Sequence, residues 1–128
     1  MIIIAKPGKL RISLDPKDLN NALKRPKYQM PTLYEALPLL AKAKVFSTFD
    51  AIDGFYQISL DEQSSIKTTF WTPFWRYRYL RMPFGVGVTP DEFARSLHEK
   101  LDGLPGTVVV RDDMETPTSK QWQIMTVT

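Results

Sequence analysis

The chain has 128 residues, a length that suits one domain, and 43% of them are hydrophobic, enough for a sizeable core. Its 17 basic and 14 acidic residues leave a net charge of +3, which permits a nucleic-acid partner without requiring one. With no cysteine and a single histidine, His98, the sequence excludes a disulfide framework, a zinc–thiolate site, a thiol nucleophile and any multi-histidine metal site.

Met1-Ile2-Ile3-Ile4 is apolar but far too short to cross a membrane, and it lacks the layout of a signal peptide. A soluble chain is expected, cytoplasmic or nuclear rather than secreted, with no membrane partner. Lys9 to Leu14 alternates in the manner of a strand. Asp15-Pro16 reads as the N-cap and first-turn proline of a short helix through Leu23. A basic connection from Lys24 to Pro31 leads to the capping box Thr32-Leu33-Tyr34-Glu35. Leu33, Ala36, Leu37 and Leu40 follow at helical spacing, and Pro38 is expected to kink or divide that helix. Val45 to Asp50 reads as a buried strand, with Ile58 to Leu60 and Ile66 to Phe70 as further short strands. Trp75 to Leu80 alternates aromatic and basic residues and is expected to pair with the strand before it. Thr89-Pro90-Asp91-Glu92 reads as a second capping box, with Phe93, Leu97 and Leu101 facing inward behind it. Gly103 to Gly106 reads as a turn and Thr107 to Arg111 as the last strand. After Met114 the chain is polar and carries Pro117, a poor start for a return strand. Residues 115–128 are expected to form a divergent, disordered tail on an α+β domain that stops early.

Two acidic signals carry the chemistry. Asp50 closes Val45-Phe46-Ser47-Thr48-Phe49, and Asp112-Asp113 follows Val108-Val109-Val110-Arg111. Carboxylates at the ends of two neighbouring strands can share a pair of hard cations such as Mg²⁺. Two such cations are the usual device for phosphoryl and nucleotidyl transfer. Taken alone, Asp50 also reads as the N-cap of a short turn at Asp53-Gly54-Phe55, and Asp112-Asp113 as a hairpin turn.

The surrounding blocks bear on the choice. Lys9-Leu10-Arg11-Ile12-Ser13-Leu14-Asp15-Pro16-Lys17-Asp18-Leu19-Asn20, with Pro31-Thr32-Leu33 after it, resembles the fingers segment of gypsy-like LTR-retrotransposon reverse transcriptases. Phe49-Asp50-Ala51-Ile52-Asp53-Gly54-Phe55-Tyr56-Gln57-Ile58 resembles their motif A. Thr68-Thr69-Phe70 and Arg76-Tyr77-Arg78-Tyr79-Leu80-Arg81-Met82-Pro83-Phe84-Gly85 are similar to the palm segment that follows, Phe93 stands where the next helix expects an aromatic, and Asp112-Asp113 takes the place of motif C. The likeness runs in order over residues 6–114 and implies the fingers and part of the palm of a right-hand polymerase. It implies RNA-directed DNA synthesis from deoxynucleotide triphosphates on an RNA or DNA template-primer. Asp50, Asp112 and Asp113 would bind two Mg²⁺ ions, with Mn²⁺ as a substitute. Arg11 would brace the triphosphate and Lys9 assist it, although Lys9 also reads as a solvated strand residue. Phe55 would lie under the sugar and exclude a 2′-hydroxyl, or simply be core, and Phe84-Gly85 would floor the nucleotide. Arg76, Arg78 and Arg81 would track a nucleic-acid backbone, although a sheet with one wet face shows the same alternation.

The chain departs from the family pattern at several points. Arg111 stands beside the paired aspartates, where a guanidinium would compete with metals. Trp75 replaces a turn glycine, a poor exchange where φ must be positive. Val86-Gly87-Val88 stands where a polar residue is usual, and the Lys6-Pro7-Gly8-Lys9 loop is one residue short. A hydrophobic return strand after Asp113 is expected to be missing, and so are the thumb, connection and RNase H parts that the rest of a Pol polyprotein would supply. The expectation is therefore a fragment with weak or no polymerase activity. The alternative is a non-catalytic nucleic-acid-binding remnant that uses Lys6, Lys9, Arg11, Lys17, Lys24, Arg25 and Lys27 on phosphates.

Overall fold

Pro7 and Gly8 begin the architecture. Proline presets φ, and Gly8 takes φ +75°, the pair of values a type II turn demands. Strands β1 (Ile2–Lys6) and β2 (Lys9–Ser13) close on this turn as an antiparallel hairpin, with Lys6 opposite Lys9. The computed structural model describes residues 2–25, 27–29, 31–41, 43–111 and 122–127. They divide into two compact units: Met1–Lys27 with Asp53–Phe93, and Tyr28–Ile52 with Ala94–Thr128.

In the first unit, helix α1 (Lys17–Ala22) follows β2. Asp15 does not cap it. The N-cap is Pro16, without a side-chain bond, because Asp15 sits one residue too early to reach the free amides. A 3₁₀ turn runs Gly54–Gln57 behind Asp53, which adopts φ +48°, a conformation aspartate tolerates. Helix α3 (Glu62–Lys67) then takes Ile66 and Lys67, the first two residues of the segment expected to be a strand through Phe70. Asp61 explains the difference. Its carboxylate accepts the Ser64 amide at 2.8 Å, Glu62 lies in the first turn and Lys67 in the last, so cap and dipole both favour a helix. Ser64 holds the Asp61 carboxyl below its usual range. Strands β4 (Phe70–Trp71) and β5 (Arg76–Tyr77) pair antiparallel, as the sequence suggests for this hairpin. Trp75 needs no positive φ: among the described residues Asp53 is the one non-glycine residue that takes it. Ile58–Leu60 makes a single antiparallel bridge, Ser59 to Arg81, flanked by amide bonds from Leu60 to Leu80 and from Met82 to Ile58. Leu14, Met82, Pro83, Val86 and Phe93 are buried here.

Helix α4 (Thr89–Leu101) passes from one unit into the other. Thr89 does not form the expected capping box. Its buried hydroxyl donates to the Pro83 carbonyl at 3.1 Å, while the Glu92 amide bonds Val88.

In the second unit the Thr32–Glu35 capping box forms with both of its bonds. Helix α2 (Leu33–Leu40) continues through Pro38 undivided. Strands β3 (Phe46–Asp50), β6 (Thr107–Arg111) and β7 (Trp122–Val127) form one sheet in the order β3-β7-β6. Helix α2 lies against β6, and Ala36 and Val109 are buried. β3 is the opposite edge, and all five of its residues are exposed, contrary to the buried strand read from its composition.

β7 also corrects the reading of the tail. Trp-Gln-Ile-Met-Thr-Val is rich in β-formers, and it provides the return strand that seemed to be missing. The strand begins well after Asp113, so a search directly behind the aspartates does not find it. Residues 115–121 and 128 lie outside the described residues. Among the described residues no helix is long and apolar enough to cross a membrane.

Candidate active site

Asp50 is the last residue of β3, not the cap of the following turn, which belongs to Asp53. Both β3 and β6 run antiparallel to β7, so they run parallel to each other. Gln123 of β7 lies opposite Asp50 on one side and opposite Val110 on the other. Two strand spacings of about 4.8 Å put the Asp50 and Val110 backbones about 10 Å apart. The chain therefore leaves β6 at Arg111 on the same edge where β3 delivers Asp50. Asp112 and Asp113 come next in sequence and lie outside the described residues. Among those described, no three of His, Cys, Asp and Glu come together to hold a metal ion. Asp50 is exposed and offers the hard oxygen donors that Mg²⁺ prefers, so the residue type and its strand-end position fit such an ion.

The residues expected to hold a nucleotide belong to the other unit. The Arg11 guanidinium stacks over the Phe84 ring at 4.3 Å. Phe84 also meets Phe55 at 4.7 Å and, edge-on, Tyr56 at 5.4 Å, while Phe55 meets Phe93 at 5.6 Å. Arg11, Phe55, Phe84 and Gly85 are thus brought together. Lys9 lies on β2, two residues before Arg11.

Three polar side chains hold this cluster, and the sequence pattern assigned none of them a role. Asn20 donates its amide to the Gly85 carbonyl at 3.0 Å and accepts the Gly87 amide at 2.8 Å. Tyr56 and Tyr79 both donate to the carbonyl of Ile12, at 3.4 and 3.0 Å, and so pin β2 one residue beyond Arg11. Burial pushes the Tyr56 phenol up, Arg11 pulls it partly back and Asp53 adds to the rise. Burial likewise raises Tyr79, helped by Tyr56. Gly85 takes φ +97° and lies against the Leu14 carbonyl, while the Leu14 amide bonds the Phe84 carbonyl at 2.9 Å.

Arg76, Arg78 and Arg81 are all exposed, but they do not share one ladder. Arg76 is in β5 and lies over Trp71, Arg78 follows β5 and faces Glu62 at 3.9 Å, and Arg81 bonds the Gln57 carbonyl from the bridge beyond. Arg25 is engaged elsewhere, with the buried Asp91 at 2.9 Å, so it is no free phosphate contact.

The comparisons decide the family. A family model described as reverse transcriptase (RNA-dependent DNA polymerase) matches residues 4–117. The chain belongs to the reverse transcriptase family. The retrovirus-related Pol polyprotein from transposon 297 of Drosophila melanogaster is 40% identical over 97 residues, 76% of this chain and 9% of that protein. The counterpart from transposon 412 is 36% identical over 75% of this chain and 8% of its own length. The enzymatic polyprotein of Figwort mosaic virus (strain DxS) is 34% identical over 75% of this chain and 14% of its own. The chain thus spans less than a seventh of these curated relatives. The fold matches the foamy viral protease-reverse transcriptase dRH in complex with double-stranded DNA, with a TM-score of 0.77 at 24% identity over 98% of this chain and 21% of that one. Members of the reverse transcriptase family generally use divalent metal ions.

Proposed function

We propose that this chain is the fingers and palm portion of a retroelement Pol polyprotein, and that it contributes the nucleotide site for RNA-directed DNA synthesis. One observation carries the reading: β3 and β6 run parallel and in register around β7, so Asp50 and the end of β6 at Arg111, the residue before Asp112 in sequence, lie at the same end of the sheet. The three carboxylates would hold two Mg²⁺ ions, or Mn²⁺ in their place, and those ions would supply charge stabilisation to the attacking and leaving oxygens. Arg11 would brace the triphosphate with its guanidinium, already fixed in plane by Phe84. Phe55, held between Phe84 and Phe93, would set the depth at which the sugar sits. The remaining parts of the polyprotein would hold the template-primer duplex.

Electron paramagnetic resonance with Mn²⁺ tests the site directly. Binding that is lost in Asp50→Asn and in Asp112→Asn supports it, and binding indifferent to both overturns it. Primer extension on an RNA template with Mg²⁺ separates the polymerase from the binding remnant. The return strand β7 removes the structural reason for expecting an incomplete hairpin, so extension abolished by Asp50→Asn is the supporting result. Metal-independent, salt-sensitive binding without extension favours the remnant.

A further inference from the structure

The β4–β5 hairpin turns over Thr72–Trp75, and Thr72 orders that turn. Its amide and its hydroxyl both donate to the Trp75 carbonyl, at 3.0 and 2.8 Å. The same hydroxyl oxygen accepts the amides of Phe74 and Trp75, at 3.3 and 3.1 Å. Pro73 fixes one φ within it. The tip is therefore held in shape, yet its large side chains stay outside. Trp71 is 73% exposed, Phe74 83% and Trp75 72%. Three big aromatic rings left in water on one short hairpin mark a surface that another molecule covers.

Charge says which kind of molecule. Between Glu62 and Asp91 the chain carries four basic residues, Lys67, Arg76, Arg78 and Arg81, and no acidic one. Arg76 already lies flat over the Trp71 ring at 4.9 Å. Arg78 reaches Glu62 only at 3.9 Å, with both side chains in solvent. A second copy of this chain would bring like charges face to face. A polymer with an anionic backbone and flat π faces meets both features at once. Only unpaired bases expose those faces, so the partner is a single strand.

We propose that the β4–β5 hairpin is a stacking platform for single-stranded nucleic acid. Trp71, Phe74 and Trp75 receive unpaired bases, and Arg76, Arg78 and Arg81 meet the phosphates beside them. The inference rests on the polymerase reading for the kind of polymer handled. It needs no cation and no carboxylate, so the two ideas fail separately.

The test uses the full chain with 12-nucleotide oligo-dT and oligo-rU in the presence of EDTA. Quenching of tryptophan fluorescence reads binding. Loss of one stacked base is worth roughly 5- to 150-fold in affinity. Trp75→Ala, Phe74→Ala and Trp71→Ala are each expected to weaken binding within that range, and Arg78→Gln to flatten its salt dependence. Tyr34→Ala, which removes an equally exposed aromatic from α2, is expected to leave binding unchanged. A blunt duplex of the same length is expected to compete poorly. The proposal is overturned by no binding of the wild-type chain, by equal binding of the three hairpin variants, or by equal weakening in Tyr34→Ala. Preference for the duplex overturns it too. So does a hairpin that instead binds phosphatidylserine vesicles, or that drives a dimer which Phe74→Ala and Trp75→Ala dissolve. Oligonucleotide binding intact in the hairpin variants, alongside a Mn²⁺ site that needs Asp50, would sink the platform and leave the polymerase reading standing.

Discussion

Gly85→Ala tests the packing that holds Phe84 beneath Arg11. Gly85 takes φ +97°, and an L residue forced into left-handed backbone loses about 1–2 kcal/mol. A Cβ there would lie 1.8 Å from the carbonyl oxygen of Leu14 and 2.8 Å from its carbonyl carbon. These are backbone atoms, so no rotamer change relieves the overlap. Leu14 is buried, and its amide bonds the Phe84 carbonyl at 2.9 Å. Pushing the two segments apart weakens that bond, worth about 0.5–1.5 kcal/mol net. It also adds overpacking of about 1–3 kcal/mol. The expected loss is about 3–6 kcal/mol, a large share of the roughly 5–15 kcal/mol that holds a natural domain together. Gly8→Ala is the control: it has φ +75° and nothing within 4 Å of an added Cβ, so it carries the dihedral cost alone. Urea denaturation of both variants, followed by fluorescence, separates the terms. A loss at Gly85 that exceeds the loss at Gly8 by about 2 kcal/mol or more is expected from the steric terms. Equal losses would refute the close approach of the two segments.

Three further outcomes follow from the same unit. Asn20→Ala removes both bonds to the Gly85–Gly87 loop and is expected to cost about 1–3 kcal/mol in urea denaturation. Asn20→Asp keeps the acceptor for Gly87 but sets a carboxylate against the Gly85 carbonyl, so its stability should recover as the pH is lowered toward the carboxyl range. Arg25→Met leaves the buried Asp91 carboxylate without its partner; because Arg25 is half exposed, the expected loss is held to about 1–3 kcal/mol, and Asp91→Asn in the same chain should restore part of it. The Tyr56 and Tyr79 phenols are raised by burial, so the stability they add is full below the ordinary phenol range and is lost as the pH climbs through that range toward their folded values. Near-ultraviolet titration should show two late-ionising phenols that vanish in Tyr56→Phe with Tyr79→Phe; ionisation of both at the ordinary tyrosine pH would contradict their burial.

What the sequence made legible was local. The Thr32–Glu35 box formed because its partners stand three residues apart, and Thr107 to Arg111 became a strand because its β-branched run follows the turn at Gly103 to Gly106. Readings failed where a distant partner decided the matter. The Thr89 hydroxyl goes to Pro83 instead of to its own helix, and Asn20 finds its partners 65 and 67 residues away. No periodicity reports such pairs. The apolar start, Ile2 to Ile4, shows no alternation and becomes a strand through the Pro7-Gly8 turn that folds it onto β2. Ile66 to Phe70 looked extended because Ile66, Thr68, Thr69 and Phe70 are β-branched or aromatic, yet the helix begun at the Asp61 cap runs through Ile66 and Lys67, and the strand starts at Phe70. Motif A was readable because its residues are contiguous, whereas the positions of Arg11 and Phe84 depend on three chain segments meeting.

In the sheet of the second unit, β7 sets how β3 and β6 are aligned. Two strands whose C-terminal ends are to meet at one edge of a sheet must run parallel. Parallel neighbours need a crossover of a dozen or more residues and make a slanted, slightly weaker ladder. An antiparallel strand between them replaces the slanted ladder with two perpendicular ones, while residues 51–106 still make the crossover. Trp122–Val127 takes that position, pairing through five residues with β3 and five with β6. Its register does the positioning: Gln123 fixes Asp50 and Val110 at one level. The end of β3 that carries Asp50 is therefore aligned with the end of β6 by a strand that contains no carboxylate. The residues that name the chemistry and the residues that align it are different stretches of the chain.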